Sequence, residues 1–330
     1  MGKNQVCFSI RIPSSEMNES NVLSWIEELL FFEPSEMYGS LITSRKYIPF
    51  NKRFLIENLG KELRREQFKF SLSTKDLDHT LVFKKGIFAS SISGHLSSKI
   101  FEDVQEEFTR KISSLFENGI GVVASIYAQE DYFWQNNIDP MIYKRRNRSL
   151  ENIRVIPSPN IKNELIIDSE CLPGHAHYYE DIWFGSHWMM WFGKKYYQYI
   201  PREALLRFKD GWKTEELSNE ALFIQLYPNI WDYDLPNNRE LQWLFRQQAG
   251  VDEVAHFLEN EGKYIAEAEV DPAIEIFTEK NCMHGGVRMV RYHYNDQKQV
   301  VPRSQATVVF SYEVDEQGYV VWECFEPVIR

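Results

Sequence analysis

Two histidines one residue apart form the densest group of side chains that could do chemistry. His175 and His177 lie within residues 174–181, which also contain Glu180. On an extended backbone, alternate side chains project to the same face, so both imidazoles could bind one divalent cation. His187 could complete the shell, and zinc is the transition metal that such ligands favour. One interpretation is therefore a metal-dependent hydrolase, in which the ion activates water and Glu180 acts as general base.

The alternative interpretation of the same histidines is structural, and it is the one we favour. His-x-His is a common accidental spacing, and a loop rich in Tyr and His also packs well against aromatic neighbours. A looser set, Cys282, His284, His293 and Cys324, matches no zinc-ribbon spacing, and buried cysteine behaves as a small apolar residue. We therefore expect no cofactor, with one divalent transition metal as the alternative.

Aromatic side chains interleaved with carboxylates favour binding over catalysis. The chain holds 22 Phe, 17 Tyr and 9 Trp, together 15% of its residues. Residues 183–199 carry a Trp- and Tyr-rich block without clean alternation, so we expect some of Trp188, Trp191, Tyr196 and Tyr197 to be exposed. Exposed Trp and Tyr are common at protein-binding hot spots because they bury a large area with few rotatable bonds. The residues predicted to contact a partner are Asp181, Trp188, Trp231, Asp232 and Asp234.

Charge is divided unevenly along the chain, whose formal net charge is −11. Residues 1–170 hold 22 basic and 23 acidic side chains, whereas residues 171–330 hold 15 and 25. An acidic surface attracts basic proteins and repels phosphate backbones over about one Debye length. The short basic run at residues 144–148 is a poor footprint for nucleic acid. We expect a protein partner, of basic character, and neither nucleic acid nor membrane; the oligomeric state is left open.

The sequence lacks the motifs of the large enzyme superfamilies. It contains no GxSxG, no GxxxxGK[ST], no HExxH and no EF-hand loop. Together with the charge pattern, this predicts a non-enzymatic protein-binding module. Its specific form would be an immunity-like inhibitor of a basic bacterial toxin or nuclease, with the metal-dependent hydrolase as the alternative.

Localisation follows from the N-terminus, the hydropathy and the cysteines. The first residues lack the apolar core of a signal peptide, and the most apolar window, residues 182–193, is too short to span a bilayer. Four widely separated cysteines suit a reducing compartment. We expect a soluble cytoplasmic protein.

Hydrophobic periodicity predicts an α+β fold of antiparallel sheets with helices packed on one face, in two similar-sized layers or domains. We expect an α+β domain over residues 1–150 and an acidic, aromatic-rich α+β domain over residues 151–330 that ends in antiparallel strands. The predicted strands are 6–12, 68–73, 79–84, 87–93, 120–127, 221–227, 287–294, 306–314 and 319–324. The predicted helices are 20–30, 52–66, 97–118, 238–248 and 251–260.

Overall fold

The computed structural model describes residues 4–39, 46–65, 68–158, 161, 164–260 and 271–328. Its strands are β1 Gln5–Pro13, β2 Glu36–Gly39, β3 Ile48–Pro49, β4 Phe68–Ser73, β5 Thr80–Lys85, β6 Ala89–Ser97, β7 Val123–Ala128, β8 Val155–Pro157, β9 Leu165–Ile167, β10 Ala176–Tyr179, β11 Ile182–Gly185, β12 Met189–Phe192, β13 Lys213–Glu216, β14 Leu222–Gln225, β15 Ile274–Thr278, β16 Arg288–Tyr294, β17 Val308–Val314 and β18 Val320–Pro327. Its helices are α1 Glu19–Leu29, α2 Lys52–Leu63, α3 Ser98–Glu117, α4 Gln129–Asn136, α5 Pro140–Arg145, α6 Arg202–Arg207, α7 Pro236–Ala249 and α8 Val251–Asn260.

Ten of the described strands form one long antiparallel sheet, in the order β13-β14-β12-β7-β1-β6-β5-β4-β2-β3. The first strand of the chain lies in the middle, between β6 and β7. Its apolar residues Val6, Phe8, Ile10 and Ile12 are all buried, and this alternation places them on one face.

Helices cover both faces of this sheet. Phe8 of β1 meets Phe108 of α3 on one face, with ring centroids 4.9 Å apart. On the other face, Tyr127 of β7 meets Tyr132 of α4 at 5.0 Å. The predicted α+β class with antiparallel sheets is confirmed, although helices pack on both faces of this sheet and not on one face as expected.

Burial on both faces explains the aromatic block of residues 183–199. Strand β12 lies between β14 and β7. On one side Trp191 donates a hydrogen bond from Nε1 to Oγ of Ser113 in α3 at 2.9 Å. On the other side Phe192 stacks on Phe245 of α7 at 6.1 Å. A strand covered on both faces is apolar throughout. Some of Trp188, Trp191, Tyr196 and Tyr197 were expected to be exposed, but the first three are buried and Tyr197 is half-buried.

The chain divides into two compact units. The large-sheet unit contains residues 1–136 and 172–261, and the C-terminal-sheet unit contains residues 137–171 and 262–330. This differs from the predicted single boundary near residue 150, because residues 137–171 pack with the C-terminal strands. The carboxylate of Asp139, for example, accepts hydrogen bonds from both terminal nitrogens of Arg288, at 2.8 and 3.0 Å.

The C-terminal-sheet unit is built on a four-stranded antiparallel meander, in the order β15-β16-β17-β18. Consecutive strands are neighbours, as is usual in antiparallel sheets. The short strands β8 and β9 pair with each other in the same unit. The predicted antiparallel C-terminal strands are therefore present.

Candidate functional site

Trp188 is not at a surface, which corrects the prediction that it contacts a partner. Its relative exposure is 1%, and its Nε1 donates a hydrogen bond to the carbonyl of Tyr227 at 2.7 Å. Its ring packs edge-on to Phe101 of α3 at 6.0 Å. Because the ring is enclosed and its only donor is satisfied, Trp188 stabilises the core.

The structure brings Trp231, Asp232 and Asp234 together just before α7. Trp231 packs partly against the core, whereas the side chain of Asp234 is 62% exposed. The Asp234 carboxylate accepts a hydrogen bond from Nη2 of Arg239 at 3.0 Å, and Arg239 also binds the buried Asp131. Burial raises the pKa of Asp131, while Arg239 opposes this shift. Through Arg239, the turn before α7 is connected to the buried Asp131. The partner contact predicted for Trp231, Asp232 and Asp234 stays a prediction.

Asp181 lies in the turn between β10 and β11. It adopts a positive φ of 63°, and its carboxylate lies 3.6 Å from Nζ of Lys84. An ion pair with an exposed lysine contributes little to stability. The predicted partner contact at Asp181 is not tested by this geometry.

His175 and His177 belong to a cluster of charged and imidazole side chains beside α8. Their rings lie 4.7 Å apart. The ring nitrogens of His177 lie 3.4 Å from the Asp252 carboxylate and 3.7 Å from that of Glu259. Arg246 of α7 binds the same Asp252 oxygen through Nε at 3.0 Å and Nη2 at 2.7 Å. The cluster thus attaches α8 to the β10 strand and to α7.

Burial keeps His175 neutral, whereas basic neighbours keep the carboxylate of Asp252 ionised. The pKa of His175 is lowered to about 3, first by burial and then by the adjacent His177 and Arg246. Burial alone would raise the pKa of Asp252, but its bonds to His177 and Arg246 hold it below the ordinary value. Both pKa values are therefore lowered, that of His175 by loss of hydration and that of Asp252 by its basic neighbours.

His187 lies in an aromatic environment, not in a metal shell. Its ring stacks on Trp183 at 4.5 Å and lies 4.3 Å from Tyr127. Burial lowers its pKa to about 3. Across the described residues, no three His, Cys, Asp or Glu side chains are arranged to hold a metal ion. The hypothetical site of His175, His177 and His187 is therefore not assembled, because β10 and the segment before β12 place the rings in different surroundings.

The strongest candidate for a binding site is the exposed edge of the C-terminal sheet, which we call the β18 surface. Phe325 is 66% exposed, and Val320 and Val321 are 55% and 45% exposed. Large contiguous apolar exposure in a folded protein typically marks an interaction site. The β18 surface consists of Tyr319, Val320, Val321, Glu323, Phe325 and Glu326, all exposed.

One face of the β18 surface continues as a row of aromatic rings across the sheet. Phe325 stacks on Phe310 of β17 at 4.3 Å, and Phe310 contacts Tyr312 at 5.7 Å. Tyr312 in turn stacks on Tyr292 of β16 at 6.3 Å. Such cross-strand pairs stabilise a sheet, so the exposed ring of Phe325 stands on a rigid base.

The opposite face is fixed by a loop that closes on Glu313. This buried carboxylate accepts backbone hydrogen bonds from Met283, His284 and Gly286 at 2.8–3.1 Å. Burial would raise the pKa of Glu313, but the three donors outweigh it and lower that pKa. The loop places the ring of His284 on Trp322 of β18, with centroids 4.2 Å apart.

Sequence reasoning missed this surface although its composition was visible. From Ser304 to Ile329 the sequence has five acidic residues and no Lys or Arg. The alternation in the last strands predicted their existence, but not which of them would be the unpaired edge. The missing information was the strand order, which depends on tertiary pairing.

Within the described ranges, each helix is too short or too polar to cross a bilayer.

Comparison with known proteins gives only weak structural likenesses. No protein-family model and no curated protein matches the sequence. A T6SS protein of Pseudomonas aeruginosa aligns over 79% of this chain and 88% of its own length, with 7% identity and a TM-score of 0.44. One chain of the complex between the toxic C-terminal tip of CdiA from Pseudomonas aeruginosa and an immune protein aligns over 38% of this chain and 87% of that chain, with 11% identity and a TM-score of 0.26. Likenesses this distant carry no argument about function.

Proposed function

We propose that this protein is a non-enzymatic binding module whose contact surface is the β18 surface and whose partner is a basic protein. The observation that carries the proposal is the 66% exposure of Phe325 beside the exposed carboxylates of Glu323 and Glu326. Apolar rings supply buried area on association, while surrounding carboxylates select a basic partner and accelerate encounter.

The specific form of this proposal is an immunity-like inhibitor. A basic toxin or nuclease has a positively charged cleft for its phosphate-bearing substrate, and an acidic protein surface competes for such a cleft. The mechanism is occlusion: carboxylates pair with Lys and Arg of the toxin, and an aromatic ring occupies part of the cleft. This form is supported by charge alone, since the net charge of −11 is concentrated in residues 171–330.

Charge reversal on the β18 surface tests the proposal. The full chain is co-purified from its native host at low salt, and the recovered protein is identified, purified and titrated by calorimetry at several salt concentrations. We expect a basic protein whose affinity falls with salt and falls at least about tenfold with E323K/E326K. For an inhibitor, the isolated partner should also lose its toxic or nuclease activity on binding.

The matched control is E102K/E106K, which reverses two exposed carboxylates on α3. It changes the net charge equally but leaves the β18 surface intact. If both double variants weaken binding equally, the effect comes from the overall net charge. That result would contradict the β18 surface as the contact site. Recovery of no basic protein by the wild-type chain would contradict the function itself.

A further inference from the structure

The outer edge of β18 is open in the described part of the chain. The sheet ends at this strand, which pairs with β17 on one side only. An eight-residue edge strand with exposed apolar side chains is unusual, because it offers unpaired backbone groups to any extended chain.

The end strand of the large sheet, β13, shows the ordinary way to protect such an edge. It has four residues, all exposed. Nζ of Lys213 lies 2.6 Å from the Glu215 carboxylate, and Glu216 pairs with Arg202. Short length and charged side chains are standard means of preventing strand addition. β18 is twice as long and lacks any basic side chain.

The register shows which backbone groups of β18 point outwards. The N–H of Val328 donates to the carbonyl of Thr307 in the neighbouring chain segment at 2.9 Å. In an antiparallel ladder, hydrogen-bonded residues alternate, so Trp322, Cys324 and Glu326 bond to β17. Glu323 and Phe325 therefore direct their N–H and C=O groups away from the sheet.

Two features mark the limits of this open edge. Pro327 has no N–H and so ends the row of outward donors. At the other end, the pairing shifts between Glu313 and Val314, which leaves Val321 as an extra residue. The regular outward edge is thus centred on Glu323 and Phe325.

Charge selects the occupant of the edge. In a homodimer formed through β18, Glu323 and Glu326 would lie close to their own copies. Residues 304–329 contain no Lys or Arg that could compensate, and like charges across paired strands are destabilising. An extended segment of a different, basic protein would avoid this repulsion and would bring Lys or Arg close to Glu323 and Glu326.

We propose that an extended basic segment of the partner adds to β18 as a fifth strand of the C-terminal sheet. The inference rests on the proposed function, because it specifies how the β18 surface engages its partner. Main-chain hydrogen bonds to Glu323 and Phe325 supply affinity, and alternate side chains supply specificity. On one face the added strand presents basic residues, whose charges pair with Glu323 and whose stems lie over the ring of Phe325. On the other face it presents apolar residues towards Trp322.

The test uses the full chain and a fluorescent acetyl-(Lys-Val)5-amide peptide, with binding followed by fluorescence anisotropy. Two analogues accompany it: one N-methylated at every residue, which keeps the charge but removes the backbone donors, and one in which Glu replaces Lys. In the protein, E323P removes the outward N–H and the charge, whereas E323Q removes only the charge. Proline is tolerated at an edge position whose N–H is unbonded, and circular dichroism verifies folding. E216P and E216Q on β13 are the matched controls: Leu217 donates its N–H to Ala221, so the alternating residue Glu216 directs its own N–H away from the sheet.

Strand addition predicts that the N-methylated peptide binds at least about tenfold more weakly than its parent, and that E323P weakens binding more than E323Q. The β13 pair should bind like the wild type. Equal binding of the N-methylated peptide, equal effects of E323P and E323Q, or no binding of the parent peptide up to about 1 mM overturns strand addition. Equal binding of the Lys and Glu peptides would instead contradict the proposed preference for a basic partner. Strand addition itself would remain supported.

Discussion

Phe310 and Phe325 stack across β17 and β18 with ring centroids 4.3 Å apart and an interplanar angle of 25°. The two residues are direct partners in the antiparallel register, yet Phe325 remains 66% exposed. The contact therefore orients a ring at the surface and does not remove it from water. This separates the contribution of Phe325 to binding from its contribution to stability.

Replacing Phe325 with alanine should affect binding more than folding. We expect F325A to lower the free energy of unfolding by about 1 kcal/mol or less, the scale of one exposed cross-strand pair. Binding of the (Lys-Val)5 peptide should weaken several-fold. Urea denaturation and anisotropy measure the two effects. The comparison variant F108A removes a ring with 0% exposure and should cost about 3–5 kcal/mol; similar losses of stability in both variants would contradict the exposed edge.

Amide hydrogen exchange should alternate along β18. Trp322 and Cys324 donate to β17 and should exchange slowly, whereas the outward amides of Glu323 and Phe325 should exchange fast. Residue-resolved NMR exchange measures this directly. Addition of the (Lys-Val)5 peptide should then slow Glu323 and Phe325 selectively. Uniform protection along the strand before any peptide is added would show that the edge is already paired.

The ion pair between Arg246 and Asp252 should be a strong determinant of stability in the large-sheet unit. The Arg246 side chain is only 1% exposed, so R246A leaves Asp252 partly buried without its main partner. Loss of one member of a buried pair costs about 3–5 kcal/mol. The exposed pair of Lys194 and Glu220 provides the control, because K194A should cost less than about 1 kcal/mol. Chemical denaturation compares the two, and equal costs would show that burial of Arg246 is unimportant.

Acid should destabilise the protein through His187. Burial lowers its pKa from 6.5 to about 3, so below pH 6.5 the unfolded chain takes up a proton that the folded chain excludes. Its contribution to stability is complete above pH 6.5 and declines as the pH falls towards about 3, at up to about 1.4 kcal/mol per pH unit. His175 acts in the same direction.

Denaturation at a series of pH values between 7 and about 5 checks this prediction. H187F keeps an aromatic ring against Trp183 but cannot be protonated. We expect a shallower loss of stability with acid in H187F than in the wild type. The same slope in both proteins would mean that His187 is not held neutral.

Periodicity located most of the secondary structure because it reflects local geometry. The helix that ends at Asn118 and Gly119 was visible from its apolar spacing and from the stop, where Gly119 adopts a φ of 74°. Strands β4, β16 and β17 lie within two residues of their predicted limits. The periods of about two residues in a strand and about 3.6 residues in a helix are set by the backbone itself and do not depend on residues far away in the chain.

The roles of individual aromatic residues could not be assigned in the same way. Trp188 and Phe325 are both large aromatic residues, but Trp188 is 1% exposed and Phe325 is 66% exposed. The difference arises because β12 lies inside a ten-stranded sheet and β18 ends a four-stranded one.

By itself, the sequence determined the α+β class, the positions of most helices and strands, and the concentration of negative charge in residues 171–330. Only the tertiary structure decided that residues 137–171 join the C-terminal strands, that His187 is enclosed by rings and that β18 is an open edge. Strand order and unit membership are set by contacts between residues far apart in the chain, and burial follows from those contacts, whereas periodicity reports only on neighbours.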